Sequence, residues 1–489
     1  MERSGDRGTG KAGKTAREGT CFQERFGVGG DTLSRVIGAG LAAGGDFAEV
    51  YLQHRTSDDV GFEDGDVNQA GRGVDLGAGI RVLAGDQTGY AFTESLDEES
   101  MIRAARTAAA VARSSDPRKP SPLVEVPVQG GLYPDREVWG GVTPAKKVEI
   151  ARTVGNRVAA ADPAVIKASV RFSCQDEAIL VANSEGALVE DRRPMTYIYA
   201  TCTARKGDAI ESNSFSRAWR SGIERYTPEL LRTVASEAVR RTMVLFDARV
   251  PGAGEMPVVL GPATSGILLH EAMGHGFEAD FNRKGTSIFA SMMGEKVAEP
   301  FVTIVDTGLV PGARGAVAVD DEGTPGQSTA LVEDGVLVSY LHDRISAAHY
   351  GVERTGNGRR ESFRFPPLPR MRVTTMESGP HDPEEIVRSV SRGIYAVDFA
   401  NGQVSIGAGD YSFYVKTGFL IEDGKLTAPV KDVNLIGNGP QSLARTVMVG
   451  DDKAVDEGTW TCGKDGQSVP VGLGLPTIKV SSISVGGRE

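Results

Sequence analysis

At 489 residues the chain is too long for one ordinary hydrophobic core, so two or three domains are expected. Hydrophobic content of 40% and charged content of 24% are those of a globular protein, and no apolar run approaches the ~18 residues of a membrane span. A net charge of −11 argues against nucleic acid as the main ligand, because phosphate binding needs a basic surface.

Residues 1–27 are polar and rich in Gly, Lys and Arg, with no apolar stretch of the secretory kind, and are expected to form a disordered extension. Four scattered cysteines, Cys21, Cys174, Cys202 and Cys462, have the pattern of reduced thiols and not of a disulfide framework. A cytoplasmic protein is the expectation. DTLSRVIGAGLAA (31–43) has apolar positions at helical spacing behind Asp31 as a cap, and predicts the first helix. FAEVYLQHR (47–55) alternates as a strand does, and 79–93 reads as a hairpin about Gly85-Asp86. Residues 95–114 predict a helix with an acidic first turn, and 117–135 a Pro/Gly-punctuated surface connection. A helix at 143–161, strands at 165–174, 178–183 and 195–205, and a helix at 227–246 follow.

Pro and Gly then break the periodicity over 247–262, which marks a boundary between a domain at 28–246 and another at 247–489. Beyond it lie one conspicuous helix, beginning near Pro262, and many short strands with Gly and Asp turns, including 302–308, 316–323, 328–343 and 413–426. The expected fold class is α+β: a mixed α/β N-terminal domain, then an antiparallel β-rich C-terminal domain carrying one metal-binding helix.

The informative motif is His270-Glu271-Ala-Met-Gly274-His275. In the familiar H-E-x-x-H helix two histidines four apart share one face and reach one zinc. Here they are five apart, about 140° around a regular helix, and meet one ion only if the helix widens into a π-turn. Gly274 is the residue type that tolerates such a break. Glu271, beside a ligand, is placed to be the general base toward water activated by the ion. A catalytic zinc wants a third protein ligand and an open position. His54, His342, His349 and His381 are candidates among strands and charged turns, but Cys462 has the most unusual surroundings. It lies in the Gly-rich, irregular stretch 459–477, with Lys464 nearby to favour the thiolate. TGNGRRES (355–362) reads as a loop whose Arg359 or Arg360 could contact a peptide carbonyl or the oxyanion, and Asp320-Asp321-Glu322 as an exposed turn. Asp280, Asn282 and Arg283 could steady the ligand imidazoles.

HEAMGHGFEADFNRKGTSIF (270–289) closely resembles the metal helix of the TldD/PmbA family, also called modulator of DNA gyrase proteins. DDEGTP (320–325), TGNGRRES, GPQSLARTVMVG (439–450) and CGKDGQSVPVGLGLPT (462–477) are similar to that family too, so the likeness runs from about residue 28 onward. The resemblance implies a zinc peptidase acting inside the cell on short or unfolded peptides, in peptide maturation or protein turnover. It implies His270, His275 and Cys462 as metal ligands and Glu271 as base. It also implies a dimer, with a second copy or with a PmbA/TldE-like chain; the latter type lacks the HExxxH motif that is intact here. The alternative is a non-catalytic peptide-binding subunit with a structural zinc, and the intact Glu271 speaks against it.

Overall fold

The computed structural model describes residues 20–112, 118–134 and 137–486. Alternating sequence in the N-terminal half builds four long antiparallel strands: Phe47–Glu63, Asp66–Ala84, Val165–Asn183 and Ala187–Lys206. They form one sheet in the order 87–93, 66–84, 47–63, 165–183, 187–206, and 209–219 pairs with 187–206.

Parity along a strand explains how both faces are used. Even-numbered Ala48, Val50 and Leu52 pack under the helices Gly30–Leu41 and Glu98–Val111. Farther along the same face, Val60 and Phe62 meet the helices Pro144–Ala159 and Pro228–Met243. Odd-numbered Tyr51, Ile179 and Val181 point the other way, onto Val319 and Phe363 of the C-terminal half. Four long helices therefore cover one face, and the second half of the chain covers part of the other.

Among the described residues the C-terminal half holds two large sheets and two two-stranded ones, 358–359 with 368–369 and 461–464 with 467–470. One large sheet runs 336–337, 328–333, 304–307, 373–376, 472–475, 454–455. In the other, 392–405, 254–260, 478–486, 433–438 and 410–422 pair in turn, and 392–405 also pairs with 410–422, which closes a ring of five strands. The α+β class agrees with the sequence, but the helix beginning near Pro262 is joined in this half by Ala279–Arg283, Arg344–Tyr350, Pro383–Arg388 and Gly439–Ala444. Among the described residues no helix is long and apolar enough to cross a membrane.

Several expectations are corrected. The extension to residue 27 is too long: Cys21–Phe26 is a helix capped by Thr20, with Phe22 fully buried in the core that holds Val50 and Leu52; residues 1–19 lie outside the described residues, as do Pro117 and Asp135 of the predicted connection. Asp31 is not the cap of its helix but stands in its first turn, with Gly29 at the N-cap. The strands predicted at 165–174 and 178–183 are one strand, because Glu177 is held inside the sheet by Gln53 Nε2 at 2.6 Å. Residues 316–323 form no strand. Their acidic turn is buried at the contact between the halves, with Asp320, Asp321 and Glu322 at most 3% exposed. There Arg81 pairs with Glu49 at 2.8 Å and Glu322 at 2.6 Å, Arg360 with Glu49 at 2.6 Å, and Arg193 with Asp321 at 2.6 Å. Buried charge is tolerable only when paired in this way.

Candidate metal centre

Strand Gly254–Leu260 runs through Gly261-Pro262 into a helix with three different pitches. Gly266–Leu269 is α, His270–Gly274 is a π-turn, and His275–Phe277 is 3-10. Ile267, Leu268, Leu269, Ala272, Met273 and Phe277 fix it in the main core of this half. The wider turn brings residues five apart onto one side, and the His270 and His275 rings stand 5.1 Å apart at 82°. Gly274 serves a different purpose from the one expected. Its backbone is ordinary helix, at φ −57 and ψ −47, but a Cβ there would lie 2.1 Å from Met371 Sδ. The residue makes room; it does not bend.

Residues 459–477 are not irregular as the sequence suggested. Thr461–Lys464 and Gln467–Pro470 pair as a hairpin about Asp465-Gly466, whose positive φ angles of 49 and 72 suit a two-residue turn. Cys462 and Lys464 face inward, Thr461 and Gly463 outward. Cys462 Sγ stands 3.4 Å from His275 Nε2, and one donor atom each from His270, His275 and Cys462 lie within 4.8 Å of one another. His270 is 1% exposed, yet neither ring nitrogen has a hydrogen-bond partner. A bound cation would satisfy a buried imidazole placed in this way. Two imidazoles and a thiolate match the ligand preferences of zinc, and three protein donors leave a fourth position for substrate or water. Glu271 Oε2 lies 3.9 Å from His275 Nε2, and its side chain keeps 20% of its surface exposed against 6% for His275. The carboxylate thus stands where water can reach it.

Glu278 Oε2 meets His275 Nδ1 at 3.0 Å. A carboxylate only accepts, so Nδ1 carries the hydrogen and Nε2 is turned toward Cys462. Burial opposes ionisation of Glu278, but Lys464 and His275 outweigh it and hold the carboxyl down at about 2. Burial also opposes the charged form of His275, yet Glu278 and Cys462 raise it well above the usual imidazole range. The Cys462 thiol is penalised by burial and still lowered well below its ordinary value, chiefly by His275 and then His270. Lys464 is not the cation that acts on it. Its Nζ is occupied by Glu278 at 3.1 Å, Asp280 at 2.7 Å and the Pro369 carbonyl at 3.0 Å.

The fold therefore brings together His270, Glu271, His275 and Cys462. It does not bring Arg359 and Arg360 to them as free cations. Arg359 donates to the carbonyls of Met371 and Pro470, and Arg360 to Glu49 and the Asp321 carbonyl; both are buried. Asn282 caps the Gly276 and Glu278 carbonyls, Arg283 reaches Asp86, and Asp280 meets Lys464. None of these three holds an imidazole. Glu278, which does, was passed over, although its place three residues after His275 puts it within reach on a helix. His54 lies in the strand Phe47–Glu63 against Phe26, and His342 is buried between Tyr340 and Tyr350 and not at the surface.

Comparison with known proteins covers most of the chain. Residues 48–112 match the PmbA/TldA metallopeptidase domain 1, 138–246 its central domain, and 253–487 its C-terminal domain. The chain is 37% identical over 452 residues to the Metalloprotease TldD homolog of Haemophilus influenzae, spanning 91% of this chain and 93% of that one. It is 26% identical to the Zinc metalloprotease TldD homolog of Saccharolobus solfataricus, spanning 91% and 97%. The crystal structure of TldE from Thermococcus kodakarensis superposes with a TM-score of 0.74 over 93% of this chain and 100% of that one. At 21% identity that last likeness is one of fold.

Proposed function

Since the chain belongs to the PmbA/TldD metallopeptidase family, we propose that it is a zinc-dependent peptidase hydrolysing short or unfolded peptides inside the cell. The observation that carries this reading is the convergence of His270, His275 and Cys462 on one point with Glu271 beside it. His270 and His275 offer ring nitrogens and Cys462 a thiolate as the protein ligands. Zinc held there supplies Lewis acidity, polarising a peptide carbonyl and making a nearby water more acidic.

The chain's own residues do the rest. Glu271 accepts the proton of the attacking water on its carboxylate and returns it to the departing amine, as a general base and then a general acid. Its partial exposure lets water in, while the buried histidines and thiol stay dry and keep their electrostatic effect. Glu278 keeps His275 in the tautomer that presents Nε2. Arg359 and Arg360 are given no part, because their donors are engaged elsewhere. Pairing with a TldE-like chain or with a second copy is part of the same proposal.

Glu271→Gln tests the reading. The variant should hold zinc as the unaltered chain does and lose turnover of an unstructured peptide by orders of magnitude. Full activity in that variant would assign the base elsewhere. Activity absent from both proteins, alone and with a TldE-like partner, would favour a structural zinc in a peptide-binding subunit.

A further inference from the structure

The hairpin that delivers Cys462 pairs with no other strand among the described residues. Two strands alone are marginal in water, so this one is placed by anchors along its length. Arg370 Nη2 donates to the Cys462 carbonyl at 2.6 Å, and Arg359 Nη2 to the Pro470 carbonyl at 2.7 Å. Lys464 is the anchor that ties the hairpin to the residues just after the metal helix. Its side chain is 2% exposed, and its three ammonium hydrogens match three acceptors: Glu278 Oε2, Asp280 Oδ1 and the Pro369 carbonyl. No hydrogen is left over for a reacting group. Glu278 Oε2, the atom that Lys464 grips, is also the one that meets His275 Nδ1. The Asp465-Gly466 turn sets the register, Cys462 opposite Val469 and Lys464 opposite Gln467, so thiol and ammonium share the inward face two residues apart.

We propose that Lys464 is a positioning residue of the metal centre, aligning two of its three donors at once. Through Glu278 it orients the His275 ring, and through the strand backbone it fixes where Cys462 stands. The inference rests on the reading of His270, His275 and Cys462 as a zinc site. Its rival is that Lys464 only neutralises the buried Asp280 carboxylate.

Lys464→Met alone leaves the buried carboxylates of Glu278 and Asp280 both without their shared cation, so a loss of zinc affinity there would not separate the two readings. The deciding comparison is D280N against K464M/D280N in the full chain, both stripped of metal and titrated with zinc against a chromophoric chelator. Cobalt(II) substitution gives the second signal, the thiolate-to-metal charge-transfer band. D280N should bind zinc within about threefold of the unaltered protein. K464M/D280N should bind it roughly 10–100-fold more weakly, with a weakened cobalt–thiolate band. Equal affinity and an equal band in the two variants would overturn the proposal and leave Lys464 a mere counter-ion. Glu278→Gln breaks the same chain one link nearer the ligand and keeps the volume, so it should lose comparable affinity. Unaltered zinc binding there overturns the proposal whatever the double variant does. The unaltered protein in the same titration tests the metal site itself. A chain that takes up no zinc ends both readings, whereas a zinc-binding chain with unchanged variants ends only this one.

Discussion

Gly274→Ala is the smallest change that should damage the metal helix. A methyl at that position would sit 2.1 Å from Met371 Sδ and 3.0 Å from its Cε. Ordinary contact needs about 3.5–4.0 Å, so the sulfur must retreat by about 1.5 Å or the helix must lift. Met371 is fully buried in the core of the C-terminal half, and it has little free volume to enter. Overpacking of this kind costs about 1–3 kcal/mol, and the tight surroundings place it toward the upper end. Since Ala suits a helix better than Gly by ~1 kcal/mol, the net loss should be about 1–2 kcal/mol. Urea denaturation of the metal-free chain measures it, and zinc titration should show weaker binding, because His275 is the next residue. Met371→Ala alone opens a cavity and destabilises. Combined with Gly274→Ala it should cost at least 1 kcal/mol less than the two single changes added together. Costs that merely add, or a Gly274→Ala protein as stable as the parent, would refute the argument that glycine is there for space.

Two other variants separate roles. Cys462→Ser should sharply lower zinc content per subunit, while Cys174→Ser and Cys202→Ser, both set in the N-terminal sheet away from the cluster, should leave it intact. Full zinc occupancy in Cys462→Ser at low free metal would move the third ligand elsewhere. Arg360→Met should cost about 3 kcal/mol in stability, at the low end for a broken buried pair because Glu49 keeps Arg81. Its peptidase turnover per folded molecule should be near normal, and a selective rise in KM would restore the substrate role first suggested for it.

The pairing of His270 with His275 was the most legible part of the chain because its geometry is local. Two histidines five apart with a glutamate between them either share no ion or force a π-turn, and the helix takes the second course. The helices predicted at 143–161 and 227–246 were legible from the sequence and stand as Pro144–Ala159 and Pro228–Met243. What escaped depended on distant partners. Asp321 and Glu322 read as an exposed turn, since nothing near them says that Arg193 and Arg81 arrive from 128 and 241 residues away. Glu278 was missed for want of Lys464, 186 residues on, which makes its burial tolerable. The hairpin at 461–470 was hidden by its glycines, although Asp465-Gly466 was a usable turn signal.

The ring of five strands sets an order of events during synthesis. Strand 478–486 lies beside 254–260 and 433–438, so two segments made earlier must wait for it. Ile478, Val480 and Ile483 belong to the same core as Leu268, Leu269 and Phe277 of the metal helix. The N-terminal sheet and its four helices can be in place while the ribosome is still working, as domains made first commonly are. The metal helix cannot be enclosed until residues 478–486 have emerged. If the proposed peptidase reading holds, the newborn chain acquires its chemistry last, when little of it remains unfolded to be cut.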